Sequence, residues 1–327
     1  MRLSAWVLVC AACAGGARAQ EEAPASGAQS ARPVDAPAAG AGPPAAGGGP
    51  PAGWQAQLGL SGDLSLRRRI ADRDDRARLA VASLTARAEL SYGWGALRLG
   101  ASLSAERAHY EWTRPRGLSA PELSAGQDPW REVQSFDLGV SLLAFVGRGW
   151  TIAARASLGL GVEPGADAGE ALRGGGGLAV GYAFSRAFTL GLGLFATTRL
   201  EESPLVIPNL FVRWQVTEHV LVETVGPGLR VTWQVTPALA LGGRAGFGFR
   251  QWRLDDRRAR NPGGIVNDAQ GELVASLGWT AGPLRLSGEV GAVVWQELTV
   301  RDRRGEQVRR LQGEPAPLFA LRLELSF

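Results

Sequence analysis

Charged side chains are the chief chemical resource of this chain, and most of them stand between small or apolar neighbours. Arg87, Glu89, Arg98, Glu106, Asp137, Arg155, Arg213, Arg230, Arg244, Arg250, Arg285, Glu289, Arg322 and Glu324 form the main set, joined by Asp63, Glu223 and Glu272. Groups of both signs on one protein face can pair with each other, hold ions, or line water. Acid–base or nucleophilic chemistry has fewer parts. There are two histidines, His109 and His219. His109 lies near Ser104 and Glu106, and a nucleophile–His–acid site needs all three groups in hydrogen-bond contact. We expect no enzyme here; His219 falls in a turn. Asp255-Asp256 and Asn267-Asp268 match no calcium-loop spacing and read as solvated loop. Gly174 to Gly177 lead into a strand, whereas a phosphate cradle needs a helix, so they read as a flexible lead-in. No metal and no cofactor are expected.

The elements that carry these charges are strands. Ala82 to Tyr92, Leu97 to Leu103, Trp150 to Leu160 and Leu284 to Val294 alternate apolar with small or polar residues. Alternate side chains of a strand point to opposite faces. The charges named above therefore share one face, taken as inward, while Leu84, Leu158, Leu241 and Leu286 take the other. No stretch after the leader approaches the ~18 consecutive apolar residues of a membrane helix. Gly is abundant at 45 and Trp at 11, which suits tight turns and interfacial aromatics. Connections alternate between tight turns, such as Gly93-Trp94-Gly95 and Val235-Thr236-Pro237, and longer polar loops, such as Ala108 to Glu132 and Arg253 to Gln270. A local repeat, Trp214-Gln215-Val216-Thr217 and Trp233-Gln234-Val235-Thr236, places an aromatic just before a turn.

The chain begins with Met1-Arg2 and an apolar run, Leu3 to Ala14, then Ala17-Arg18-Ala19. That is a signal peptide, 1–19, with cleavage before Gln20. Both cysteines, Cys10 and Cys13, lie inside it, so the mature chain has no thiol chemistry. Residues 20–53, rich in Ala, Pro and Gly, read as a disordered periplasmic arm that could reach peptidoglycan. All 35 basic residues are Arg, and the net charge of +4 gives no argument for nucleic acid.

The last residues read PLFALRLELSF, with Phe319, Leu321, Leu323, Leu325 and Phe327 on one face. This resembles the C-terminal strand of Gram-negative outer-membrane β-barrels, although many of those carry Tyr where this chain has Leu325. Trp214 to Trp252 also resembles an uncharacterised family of predicted outer-membrane barrels. The resemblance implies that residues 54–327 form a transmembrane antiparallel up-and-down barrel, all-β, in the bacterial outer membrane. The count is about fourteen strands, or about twelve if the hairpin at Gly226-Pro227-Gly228 does not cross. It implies lipid and lipopolysaccharide as surroundings, and the barrel-assembly machinery as the reader of Phe319 to Phe327.

Two functional readings follow. Near-balanced inward charge suits a weakly selective, porin-like channel for small polar or anionic solutes. It equally suits a closed structural or adhesion barrel that works through its loops; a hydrolase at the rim is a remote third. Deletion of Phe327 should leave the chain in the periplasm. Cell fractionation and heat-modifiable gel mobility check this, and normal folding in the outer membrane would contradict it.

Overall fold

The computed structural model describes residues 52–71, 77–113, 128–147, 149–258 and 261–327. The signal peptide and nearly all of the arm fall outside them. The strands are β1 (Gly53–Ala71), β2 (Arg78–Trp94), β3 (Leu97–Thr113), β4 (Glu132–Val146), β5 (Trp150–Val162), β6 (Leu172–Ala183), β7 (Phe188–Arg199), β8 (Glu202–Gln215), β9 (Val220–Thr224), β10 (Gly228–Gln234), β11 (Leu239–Arg253), β12 (Ile265–Ala281), β13 (Leu284–Arg301), β14 (Gln307–Gly313) and β15 (Ala316–Ser326). They form one 15-stranded sheet. β1 pairs with both β14 and β15, and β13 flanks the same two strands on the other side. These two strands, interrupted at Glu314-Pro315, therefore share one wall position. Fifteen strands make fourteen positions in a closed barrel. The hairpin at Gly226-Pro227-Gly228 does contribute two of them, so the smaller count is wrong. Closure ends at the chain terminus, where Phe327 N–H donates to the Ala56 carbonyl at 2.9 Å.

The polarity of the two faces is not constant along a strand. On β3 the outward face reads Leu97, Leu99, Ala101, Leu103, Ala105, and then Arg107, His109, Glu111. The inward face reads Arg98, Gly100, Ser102, Ser104, Glu106, and then Ala108, Tyr110, Trp112. The faces exchange character between Ala105 and Ala108. β2 does the same, with inward Leu79 and Val81 above inward Ser83, Thr85, Arg87 and Glu89. The reason is the medium. A tilted strand needs ~9–11 residues to cross hydrocarbon, and β3 has 17. The lower part must be apolar outside. The upper part stands in water and must be polar outside, so it builds an ordinary apolar core within.

That core closes the loop end. Ile70, Leu79, Val81, Tyr110, Trp112, Trp130, Val133, Trp252, Leu254, Val266, Leu298, Val300 and Leu311 are all buried in it. The Tyr110, Trp130 and Trp252 rings lie 5.4–6.2 Å apart, and the Trp112 indole donates to the Trp130 carbonyl at 2.8 Å.

The upper circuit is narrower than the lower one, because β11 leans across to β5. Arg253 pairs with Val162 in parallel, and Glu163 N–H donates to the Arg253 carbonyl at 2.8 Å. Gly161 makes this approach possible, since a Cβ there would strike the Gln251 carbonyl oxygen. Phe249, Gln251 and Arg253 have outward parity, yet their exposures are 5%, 2% and 0%. They face β5 to β8, not lipid, so the end of β11 is an inner partition between the core and a side pouch.

Beside the partition the wall is cut low. The β8–β9 ladder stops at Arg213–Glu223 and the β10–β11 ladder at Gly228–Gly246. Among the described residues no ladder joins β8 to β11 above those points. Pro204 and Pro208 lie on this stretch of β8, consistent with proline's confinement to unpaired edges. The gap is bridged at its top. Leu200 N–H donates to Gln251 Oε1 at 3.0 Å, and Arg253 meets Glu201 at 2.6 Å. The result is a window in the wall.

Replacing Ala101, outward in the apolar belt, with Arg should cost about 2–4 kcal/mol. The same change at His109, on the same face above the belt, should cost under about 0.5 kcal/mol. Urea unfolding of both variants in lipid vesicles checks this; equal costs would mean the belt boundary is misplaced.

Candidate functional site: a lumen in two parts

Below the core the lumen has two regions that meet along Gln57, Thr85, Arg87, Glu89, Phe249 and Arg250. One part is a cavity of about 170 Å³ between β1, β2, β10–β13 and β15, lined by Arg87, Glu89, Arg230, Arg244, Arg285, Glu289, Arg322 and Glu324. It holds a ladder of ion pairs. Arg244 lies 3.1 Å from Glu272 and 3.6 Å from Glu289. Arg322 lies 2.9 Å from Glu289 and 3.8 Å from Asp63. Arg213 and Glu223 meet at 3.5 Å beside the low wall. In these pairs each charge offsets its partner's desolvation in an interior only partly open to water.

The other part is a pouch of about 990 Å³ on the β3–β8 side. It runs from Gln55, Ser91 and Arg98 at the turn rim to Gly161 and Gln251 under the partition. Ile207, Pro208, Asn209, Gly226 and Pro227 line it at the window. Its charges are arranged differently. Arg98 donates to Ser91 Oγ at 3.2 Å and makes no ion pair among the described residues. Arg155 likewise has no carboxylate partner among them and lies with Cζ 4.5 Å from the centre of the Phe195 ring. Asp137 sits beside Arg173, both against Gly159. Glu106 is held by Arg250 at 3.1 Å.

A polar layer separates lumen from core. Asp268 accepts from Gln296 at 2.7 Å and from the Tyr110 hydroxyl at 3.3 Å, and Arg68 donates to Ser65 Oγ at 3.0 Å. Asn267-Asp268 is thus no solvated loop: both residues lie in β12 and Asp268 is buried. The partition itself is clamped from outside. Arg253, fully buried, also reaches Glu170 at 3.3 Å and the Gly263 carbonyl at 2.8 Å. Arg258 binds Glu163 at 2.7 Å, and Arg303 binds Glu170 at 2.7 Å. The hydrogen bond to Glu170 raises the pKa of Arg303 above its ordinary value.

Several expectations need correction. His109 is exposed on the outward face of β3, whereas Ser104 and Glu106 point inward; their numbers differ in parity, so no triad forms. Gly174 to Gly177 are not a lead-in but the body of β6. The loop expected from Arg253 to Gln270 contains the start of β12. Sequence reading missed Arg173, although Arg173, Gly175 and Gly177 share one parity. It also missed Arg68, whose inward position follows a bulge between Ser65 and Arg68 that shifts the alternation. The terminal residues Phe319, Leu321, Leu323 and Phe327 are exposed on the outer surface.

Around the barrel the outward surface between the rims is apolar, with Leu99, Leu138, Leu192, Leu277 and Leu321 all more than half exposed. Aromatics mark its lower edge, including Trp54, Trp94, Trp150, Phe184 and Trp233, and Phe136, Phe247, Trp295 and Phe319 its upper edge. Only a bilayer covers such a closed belt favourably. The protein is a membrane-spanning β-barrel. No protein-family model matches the chain, and no curated protein matches it in sequence. Solved structures resemble it in fold. The toluene transporter TodX from Pseudomonas putida aligns over 85% of this chain and 90% of its own, at 11% identity and TM-score 0.44. An outer-membrane channel from Pseudomonas putida F1 aligns over 86% and 97%, at 13% identity and TM-score 0.45. The NanC porin aligns over 82% and 98%, at 8% identity and TM-score 0.36.

Arg253→Leu should cost about 3 kcal/mol, because the charge-assisted bonds to Glu170 and Glu201 are lost while both acids keep contact with water. Limited proteolysis should then cut first near Leu200-Glu201. An unfolding midpoint and cleavage pattern identical to wild type would remove the clamp from this account.

Proposed function

We propose that this barrel is a transport channel for small solutes with a preference for anions. The observation that carries the reading is the pouch: a cavity of about 990 Å³ reaching the turn rim and lined by Arg98 and Arg155, neither with a carboxylate partner among the described residues. The aromatic core seals the loop end, and the opening left in the wall is the window between β8 and β11, which begins within the apolar belt. The role is passage, not catalysis. Arginines outside the belt, among them Arg69, Arg107 and Arg310, take the phosphates of lipopolysaccharide; they are exposed, and each already shares a carboxylate with Glu314, Glu132 or Glu297. A second reading, a closed structural barrel, is favoured by the ion-pair ladder and by the sealed loop end.

Planar-bilayer recording separates the two. The channel reading expects small steps with a modest anion preference, reversed by the double change Arg98→Glu and Arg155→Glu, because local charge sets ion occupancy. Folded wild type with no conductance would leave only the structural reading.

A further inference from the structure

We propose that Arg155 and Phe195 form a binding site for a monoanion carrying a flat apolar body, such as an arylcarboxylate. One row of side chains crosses five strands. Ser141, Arg155, Gly177, Phe195 and Ile207 are successive cross-strand partners on β4 to β8. All have inward parity, so the row is one continuous strip of the pouch wall. The glycine tract explains its form. A Cβ at Gly175 would lie 3.0 Å from Phe195 Cζ, and one at Gly177 would lie 3.1 Å from Phe195 Cδ2. The bare backbone of β6 therefore lets the Phe195 ring lie down against the wall, and Arg155 stacks on it at 4.5 Å.

A cation–π contact occupies none of the guanidinium's N–H donors, and among the described residues Arg155 makes no hydrogen bond, so those donors are open to a ligand. A planar fork of donors matches a carboxylate. Among the described residues Arg155 has no carboxylate of its own, whereas Arg213, Arg244, Arg250 and Arg322 each have one. Within this strip the one uncompensated positive charge suits a ligand with one negative charge. Beyond Phe195 the strip continues to Ile207, with Pro208, Phe211 and Phe249 also lining the pouch, so the surface beside the charge is apolar and partly aromatic. The volume is at the upper end of that usual for small-molecule sites.

The site rests on the pouch but not on conduction, and its test is separate. The protein is reconstituted in phosphatidylcholine nanodiscs and titrated calorimetrically with phenylacetate, its neutral amide, phenethylammonium and acetate. Phenylacetate should bind about tenfold more tightly than the amide and than acetate, and phenethylammonium should not bind. Arg155→Gln should abolish the advantage of acid over amide. Phe195→Leu should weaken both ligands. Arg155→Lys, which keeps charge but not the fork, should fall between wild type and Arg155→Gln. Equal affinity of wild type for acid and amide, or for phenylacetate and acetate, overturns the site even if no variant folds. So does an unchanged preference in folded Arg155→Gln. Binding without conductance would refute the channel and leave the site; conductance without selective binding would do the reverse.

Discussion

Each face of each strand must suit the medium that it meets, and this one constraint organises the molecule. In hydrocarbon the outward face has to be apolar, which leaves the inward face for small residues and charge. Beyond the bilayer the same strand meets water on its outer side, and the rule inverts. The strands here are long enough to obey both versions. The reversal on β3 between Ala105 and Ala108 marks where lipid ends. The sealed loop end is a consequence: once apolar residues turn inward on β1, β2, β3, β12 and β13, they pack into a core. A barrel with this phase change cannot also be open at that end.

The core in turn sets the shape of the lumen. Packing Tyr110 and Trp130 against Trp252 draws the end of β11 inward, and its contact with β5 leaves β6, β7 and β8 as a bulge on one side. The bulge becomes the pouch, and the short β9–β10 hairpin leaves its flank low. The charges sort themselves accordingly. Elsewhere arginines find acids on neighbouring strands, and Arg250 reaches Glu106 across the lumen; where the wall bulges, Arg155 lies over a ring. An apolar core above and an unmatched cation below follow from the same geometry.

Much of this was legible in the sequence, and the misses have physical causes. Alternation gave the strands, the tight turns and the inward parity of Arg87, Arg155 and Arg244, because period two survives without tertiary information. The inversion is also written in the chain: Arg107, His109 and Glu111 against Ala108, Tyr110 and Trp112. It escaped notice because polar residues near a rim resemble a loop. The bulge at Ser65–Arg68 broke the phase on which the position of Arg68 depends. The run Gly174 to Gly177 looked like slack chain because its purpose, space for a ring on the next strand, lies outside itself. No local pattern foretold that β11 would cross to β5, since that contact joins strands far apart in the chain.

Spin-label scanning of β3 in lipid bilayers, with oxygen and a water-soluble nickel chelate as collision partners, tests the central claim most directly. The account predicts that labels at 99, 101 and 103 meet oxygen, whereas labels at 107, 109 and 111 meet nickel. Labels at 98, 100, 102 and 104 should meet nickel from within, while 108, 110 and 112 should be shielded from both. Oxygen contact persisting to 111 on the outward face, or nickel reaching 108, 110 and 112, would contradict a sealed core above the membrane.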